Sequence, residues 1–325
     1  MTIELVKLYI PLISWIGLGT IAGRWLPQQI PNAIGAFLFW VGAPLSILIF
    51  IRQAAIADAV WIAAFSAWLA VLLGGGLAWL WLQWPSGLSA GKCSRRKSHN
   101  LGERRGRSTQ GSLINAAALG NTGYLGYPIS LMLVGSDYFA WAVLYDTLGS
   151  TLTSYGLGVA LASYFGQSSS LPMTATLRRI GLAIIRNPAM WSFWVGLSTR
   201  AIALPPLVET VAQIFAWTVI ALSLLLLGMR LSQLSLGRHI RPVLVSLSIK
   251  MLVVPLLLGY GLTVVGLDGG PRLVIVLQAA MPPAFATLII AEAYHLAVDL
   301  TVTALAVGTV AILVTLPLWL LLFPL

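Results

Sequence analysis

The sequence predicts an all-α integral membrane protein: ten transmembrane helices, arranged as two inverted five-helix repeats, with helices four and nine broken. Three observations point there. First, the 325 residues are 58% hydrophobic and only 9% charged, whereas an average soluble domain carries roughly 25% charged residues. The mean hydropathy of +0.91 agrees. Second, apolar runs of about 20 to 25 residues, the length that crosses a bilayer, follow one another along the whole chain. Third, two of those runs are interrupted by Gly and Pro at corresponding places. This composition excludes a soluble enzyme and a disordered or fibrous chain.

The spans read in order as 5–24, 31–51, 57–84, 112–134, 137–165, 178–201, 206–229, 240–267, 272–294 and 298–323. The first starts beside Glu4 and Lys7, lacks a small-residue cleavage site and is followed by more spans, so it reads as a helix that stays rather than a leader. Its Trp15-Ile16-Gly17 followed by Leu26-Pro27 is echoed by Trp194-Val195-Gly196 followed by Leu204-Pro205 around the sixth. The third and fifth are long enough to tilt. Segment 91–111, basic and rich in Gly and Ser, is the one long linker and reads as a flexible loop touching anionic lipid. Trp25, Trp81, Trp84 and Trp319 fall near span ends as interface anchors.

The net charge of +10 would suggest a nucleic-acid partner in a soluble protein. Here it fits the excess of Lys and Arg that fixes cytoplasmic loops. With both termini outside, Arg24, Lys92, Arg95, Arg96, Lys97, Arg104, Arg105, Arg107, Arg178, Arg179, Arg186, Arg230, Arg238 and Arg241 all fall inside. Only Lys7, Arg52, Arg200 and Arg272 fall outside, and Lys250 lies within a span. The expected location is therefore a multi-pass protein of the inner or plasma membrane with non-cytoplasmic termini. The lone Cys93 cannot form an internal disulfide.

A duplication supports the ten-span plan. Shifted by 177 residues, Trp40, Leu45, Ser46 and Leu48 fall on Trp217, Leu222, Ser223 and Leu225. Shifted by 162, Asp137, Ala142 and Thr147 fall on Asp299, Ala304 and Thr309. Five spans per half forces the halves, 1–165 and 166–325, into opposite orientation.

The fourth span contains Gly120, Gly123 and Gly126 and then Pro128. The glycines weaken a helix and the proline removes a donor. Pro128 suits the first turn of a second half-helix. At the same 162 shift, Gly120 and Asn121 fall on Pro282 and Pro283, where the ninth span breaks before Ala284. Backbone unpaired at that depth must line a polar cavity or be satisfied by protein. Two half-helix N-termini meeting there carry partial positive charge and suit a carboxylate, with the Asn121 amide as a further donor. A pair of kinked helices without a ligand is the plainer alternative.

The run Gly120-Asn121-Thr122-Gly123-Tyr124-Leu125-Gly126-Tyr127-Pro128 resembles the hallmark of the auxin efflux carrier family of membrane transport proteins. Arg186-Asn187-Pro188, Leu224–Leu227 with Gly228-Met229, and Met281-Pro282 are similar to further family signatures, in order along the chain. The resemblance implies ten helices in two inverted repeats, a scaffold part, a transport part with two crossing broken helices, and elevator-like movement of an organic anion. It implies that Asn121 binds substrate and that Pro128 is the proline of the first crossing. The chain departs from plant members at the second crossing, where Pro282-Pro283-Ala284 replaces an Asn. It also lacks their long loop between helices five and six. It therefore resembles a short, bacterial-type member with a substrate other than auxin itself.

Eight further positions complete the candidate set. Asp146 lies well inside the fifth span and reads as a proton or cation coupling site, or as a paired structural carboxyl. Tyr145 and Thr147 flank it near the substrate. Lys250 pairs with Asp146, neutralises the anion or snorkels to the interface. Glu292 and His295 near the inner end of the ninth span relay protons or are interfacial. Ser46 and Ser223 face either the cavity or a helix contact.

The expected function is thus a secondary transporter for a small organic anion, such as a carboxylate or auxin-like acid, using alternating access. Its expected partners are that anion and lipid, with a homodimer compatible and nucleic acid not. No cofactor, metal or catalytic residue is implied. The alternatives are an intramembrane aspartyl-type protease built on Asp146 and Asp268, and a channel or sensor. The protease is a poor match, because Asp268 sits in a predicted outer loop and a catalytic pair must be close enough to share a proton.

Overall fold

The computed structural model describes residues 2–54, 58–84, 99–166, 178, 181–182, 185–233 and 240–325. Its regular structure is helical, and the described residues contain no named strand, only an isolated bridge. The helices are α1 (Thr2–Trp25), α2 (Gln29–Gln53), α3 (Trp61–Gln83), α4 (His99–Ala118), α5 (122–134), α6 (139–165), α7 (Pro188–Ser198), α8 (Pro206–Ser232), α9 (Ile240–Val264), α10 (Gly269–Ala279), α11 (Phe285–Ala293) and α12 (Val298–Leu322). The runs α2, α3, α8, α9 and α12 are each long and apolar enough to cross a membrane on their own.

The surface is apolar and part of the interior is polar. Phe65, Val264 and Val314 are exposed, while Asn115, Asn121, Lys250 and Gln278 are buried. A water-soluble fold has the opposite arrangement, because exposed aliphatic area is costly in water and costless in lipid.

Two packed groups can be distinguished. In the first, α1 lies along α8, and α2 packs on α7 and α8. Glycines allow that closeness: a methyl on Gly19 would meet the Leu225 carbonyl, and one on Gly228 would meet the Ile16 carbonyl. In the second, α4 packs on α3, α6, α9 and α12, and α10 packs on α5, α6 and α9. The groups share one continuous apolar core, to which Leu12, Phe50 and Leu227 of the first and Leu113, Phe139 and Leu273 of the second belong. Tyr9 OH of α1 also donates to the Leu313 carbonyl of α12 at 2.7 Å, the Phe50 and Phe139 rings meet edge-on, and Tyr124 of α5 packs against a smaller patch of Leu38, Val219 and Leu226.

Several expectations change here. Helix α4 begins at His99, so much of segment 91–111 is helix rather than flexible loop; residues 91–98, with Cys93, lie outside the described residues. Hydropathy ends a helix where polar residues begin, but backbone hydrogen bonding continues if some side chains still dock. Here the Arg107 guanidinium donates to the Tyr164 carbonyl at 2.7 Å and Ser112 Oγ to the Ala297 carbonyl at 3.0 Å. Trp319 is no interface anchor: it is 1% exposed and stacks on Phe323.

Because the clash at Gly228 is with backbone, no rotamer change relieves it. Gly228→Ala is expected to lower stability in detergent by about 2 kcal/mol. Gly261→Ala, where a methyl meets open space, serves as the control and should leave the thermal unfolding midpoint nearly unchanged.

Candidate functional site

Helix α4 stops at Ala118 and α10 at Ala279, and the chain is non-helical through Leu119–Asn121 and again up to Ala284. The two interruptions meet. Asn121 N–H donates to the Pro282 carbonyl at 2.7 Å, and Ala284 N–H donates to the Leu119 carbonyl at 3.1 Å. Gly120 and Pro283 are thereby paired antiparallel. Each break supplies an acceptor to the other, which satisfies backbone groups that would otherwise be orphaned at depth. Pro282 and Pro283 lack donors, so proline costs nothing at those two positions.

This exchange is a local two-fold relation, and it maps Gly120 onto Pro283, Leu119 onto Pro282 and Asn121 onto Ala284. At this contact the offset exceeds the 162 shift read from sequence by one residue, and the same offset pairs Asn115 with Gln278, two buried amides.

Beyond the crossing, the second half-helices lead away. α5 starts six residues before Pro128, in a widened turn over Thr122–Gly126. Pro128 then enters the regular segment at one of its first two positions, so it continues the half-helix rather than opening it. Gly126 leaves room for the Gln278 side-chain amide, which a methyl at this position would have to displace. Gln278 Nε2 then reaches Ser130 Oγ at 3.3 Å. Helix α11 opens with Ala284 in extended conformation, leaving its first-turn N–H groups directed at the crossing.

Two polar groups flank the first break. Asp146 of α6 accepts hydrogen bonds from Thr122 Oγ1 and, at 2.7 Å, from Tyr127 OH, and lies near Gly123. Lys250 of α9 is 1% exposed, and a methyl on Gly120 would lie 3.2 Å from its Nζ and 3.4 Å from the Met281 carbonyl. Lys250 therefore does not snorkel. Among the described residues it forms no ion pair with Asp146 or any other carboxylate. Asn121 is 4% exposed, and its Nδ2 has no acceptor.

The remaining sequence candidates divide. Gly120, Asn121, Gly123, Pro128, Pro282, Pro283 and Ala284 belong to the two interruptions and the half-helices that follow. Tyr145 is buried beside Asp146, but Thr147 Oγ1 turns back to the Val143 carbonyl of its own helix. Ser223 Oγ bonds to the Ile220 carbonyl at 2.7 Å and reaches the Tyr124 carbonyl at 3.4 Å, which brings α8 to the crossing. Ser46 is buried on α2 with its hydroxyl unpartnered. Glu292 is exposed at the far end of α11, as is His295, roughly 12 Å along the helix from Ala284 at 1.5 Å per residue. The structure therefore does not bring Glu292 to the crossing. Asp268 pairs with Arg272 at 2.6 Å and is 63% exposed, separated from Asp146 by the length of α10, so the two cannot share a proton.

Residues 104–320 match the family described as membrane transport protein. The chain belongs to that family. It is 30% identical over 251 residues to an uncharacterized transporter of Methanothermobacter thermautotrophicus, covering 76% of this chain and 73% of the relative. It is also 23% identical over 209 residues to an uncharacterized transporter of Methanocaldococcus jannaschii, covering 64% and 67% respectively. This transporter is accordingly a multi-pass membrane protein and not an enzyme. The family match includes both interruptions, Asp146 and Lys250.

Removing either hydroxyl that binds Asp146 leaves a half-buried carboxyl oxygen without its donor. Thr122→Val and Tyr127→Phe are each expected to lower stability by about 1–3 kcal/mol, read as the thermal unfolding midpoint of the purified protein.

Proposed function

We propose that this membrane transporter is a secondary carrier for a small organic anion, a carboxylate or auxin-like acid, working by alternating access. The reading is carried by one observation: two helix starts meet around a buried Asn121 amide that has no acceptor. Helix amino ends and an amide donor attract negative charge. Lys250, buried beside Gly120 without a counter-ion, adds a full positive charge whose burial is costly unless an anion offsets it. Asn121, the Gly120–Pro128 segment and Pro282–Ala284 form the binding site in this reading. Tyr145 and Ser46 are its outer members.

The chain forms ten membrane helices in two inverted halves, 1–165 and 166–325, in an inner or plasma membrane with both termini away from the cytoplasm. The group around α1, α2, α7 and α8 is the scaffold, and the group holding the crossing moves against it. The reciprocal hydrogen bonds of the two breaks support the inverted relation. Asp146, held by two hydroxyls of the moving half-helix, is the place for a coupling proton.

Asn121→Ala is expected to abolish anion counterflow in proteoliposomes while membrane insertion and the unfolding midpoint are retained; transport at the wild-type rate removes the site. Asp146→Asn keeps an oxygen to accept a hydrogen bond but cannot carry a proton as a carboxyl. It is expected to retain counterflow and to lose acceleration by an imposed pH gradient. Undiminished acceleration assigns the proton elsewhere.

A further inference from the structure

One further charged side chain lies near the crossing. Arg230 reads from sequence as an inner-loop charge, yet it lies in the last turn of α8 and is half-buried. Val219, Ser223, Leu226 and Arg230 recur at helical spacing and so share one face of α8. That face meets the crossing group. Val219 and Leu226 pack with Leu38 around Tyr124, and Ser223 reaches the Tyr124 carbonyl. Arg230 continues the line. A methyl on Gly35 of α2 would fall 2.7 Å from its Nη2, and its guanidinium carbon stands 5.0 Å from the ring centroid of Phe285, the first residue of α11.

The placement is electrostatically incomplete. A cation in the last turn of a helix ordinarily interacts with that helix's own carboxyl end. This guanidinium instead extends across Gly35 to the amino end of another helix, where the partial charge is also positive. Phe285 offers it a ring face, but among the described residues it has no hydrogen-bond or ion-pair partner. Positive charge therefore converges from two elements on the start of α11, with the unpartnered Asn121 amide on the adjoining break. A planar guanidinium left with free donors matches a carboxylate better than any other common group.

We propose that Arg230 is a one-sided affinity residue: it contributes a hydrogen-bonding cation to the bound carboxylate only while the crossing faces the side of the membrane at which α8 ends. This rests on the carboxylate site proposed above. The sidedness follows from where Arg230 is anchored. It belongs to the group formed by α1, α2, α7 and α8, whereas Asn121 and the half-helix starts belong to the other. Displacement of one group past the other carries the anion away from the guanidinium, while the contacts to Asn121 and the backbone N–H groups travel with it. The bound anion is then held by more donors on one side than on the other.

The test is counterflow of benzoate, indole-3-acetate and succinate in proteoliposomes, with half-saturation measured separately from each face of the oriented protein. Arg230→Gln is expected to raise half-saturation about tenfold or more at the face where α8 ends, the effect of removing a hydrogen bond to a charged group, and to change it less than about threefold at the other. Arg230→Lys should restore part of the loss. Gly35→Ala keeps the arginine but places a methyl against Nη2 and should reproduce the one-sided loss, which keeps the proposal testable if Arg230→Gln does not fold. Equal effects at both faces, or no effect in either variant, overturn it. Asn121→Ala separates the two proposals. If it is inert from both faces while Arg230→Gln and Gly35→Ala behave as wild type, the arginine proposal alone falls. If Asn121→Ala transports normally, or the wild type carries none of the three acids, the carboxylate site falls.

Discussion

The structure around the crossing depends on two backbone hydrogen bonds, Asn121 to Pro282 and Ala284 to Leu119. Interrupting a helix inside lipid exposes peptide groups with no water to receive them, at a cost of several kcal/mol each. One interruption alone would have to recruit side chains for every orphan. Two interruptions laid antiparallel provide partners for each other, and prolines placed where no donor is needed reduce the demand further. The glycines are explained by the same contact: Gly120 leaves room for Lys250, and Gly126 for Gln278.

From this arrangement comes the chemistry. The backbone groups facing each other are satisfied, whereas those opening the half-helices are not, so the crossing is structurally closed and electrostatically unfinished. The Asn121 amide is buried without an acceptor, and Lys250 is buried without an ion pair among the described residues. Asp146, by contrast, is fully engaged by Thr122 and Tyr127, which sets it apart as a group that orders the half-helix.

What the sequence made legible was what leaves a local mark on the chain. Gly120, Pro282 and Pro283 are visible because helix interruption needs residues of special backbone freedom or restriction. The helical, membrane-embedded class is visible because hydropathy is summed over many residues. What it hid depended on side-chain reach or register. Lys250 lies near Pro255 in a span, and chain position cannot tell a side chain that climbs to the interface from one that turns inward. Arg230 was absorbed into a loop charge count for the same reason. The Asn115–Gln278 pairing emerges only from the offset at the contact of the two breaks, since a shift of 162 pairs Asn115 with Leu277. Helix α4 was shortened because its early turns are polar and hydropathy does not register backbone hydrogen bonding.

The aliphatic patch of Leu38, Val219 and Leu226 around Tyr124 is a surface of a particular kind. Aliphatic side chains against a ring face hold by dispersion, which is non-directional, and the nearby polar link from Ser223 to the Tyr124 carbonyl is long at 3.4 Å. On the same helix, the glycine-to-backbone contacts of α8 with α1 behave like a keyed joint, in which backbone meets backbone with no room for an added methyl. Helix α8 thus carries a tight fastening toward α1 and a softer, apolar one toward α5.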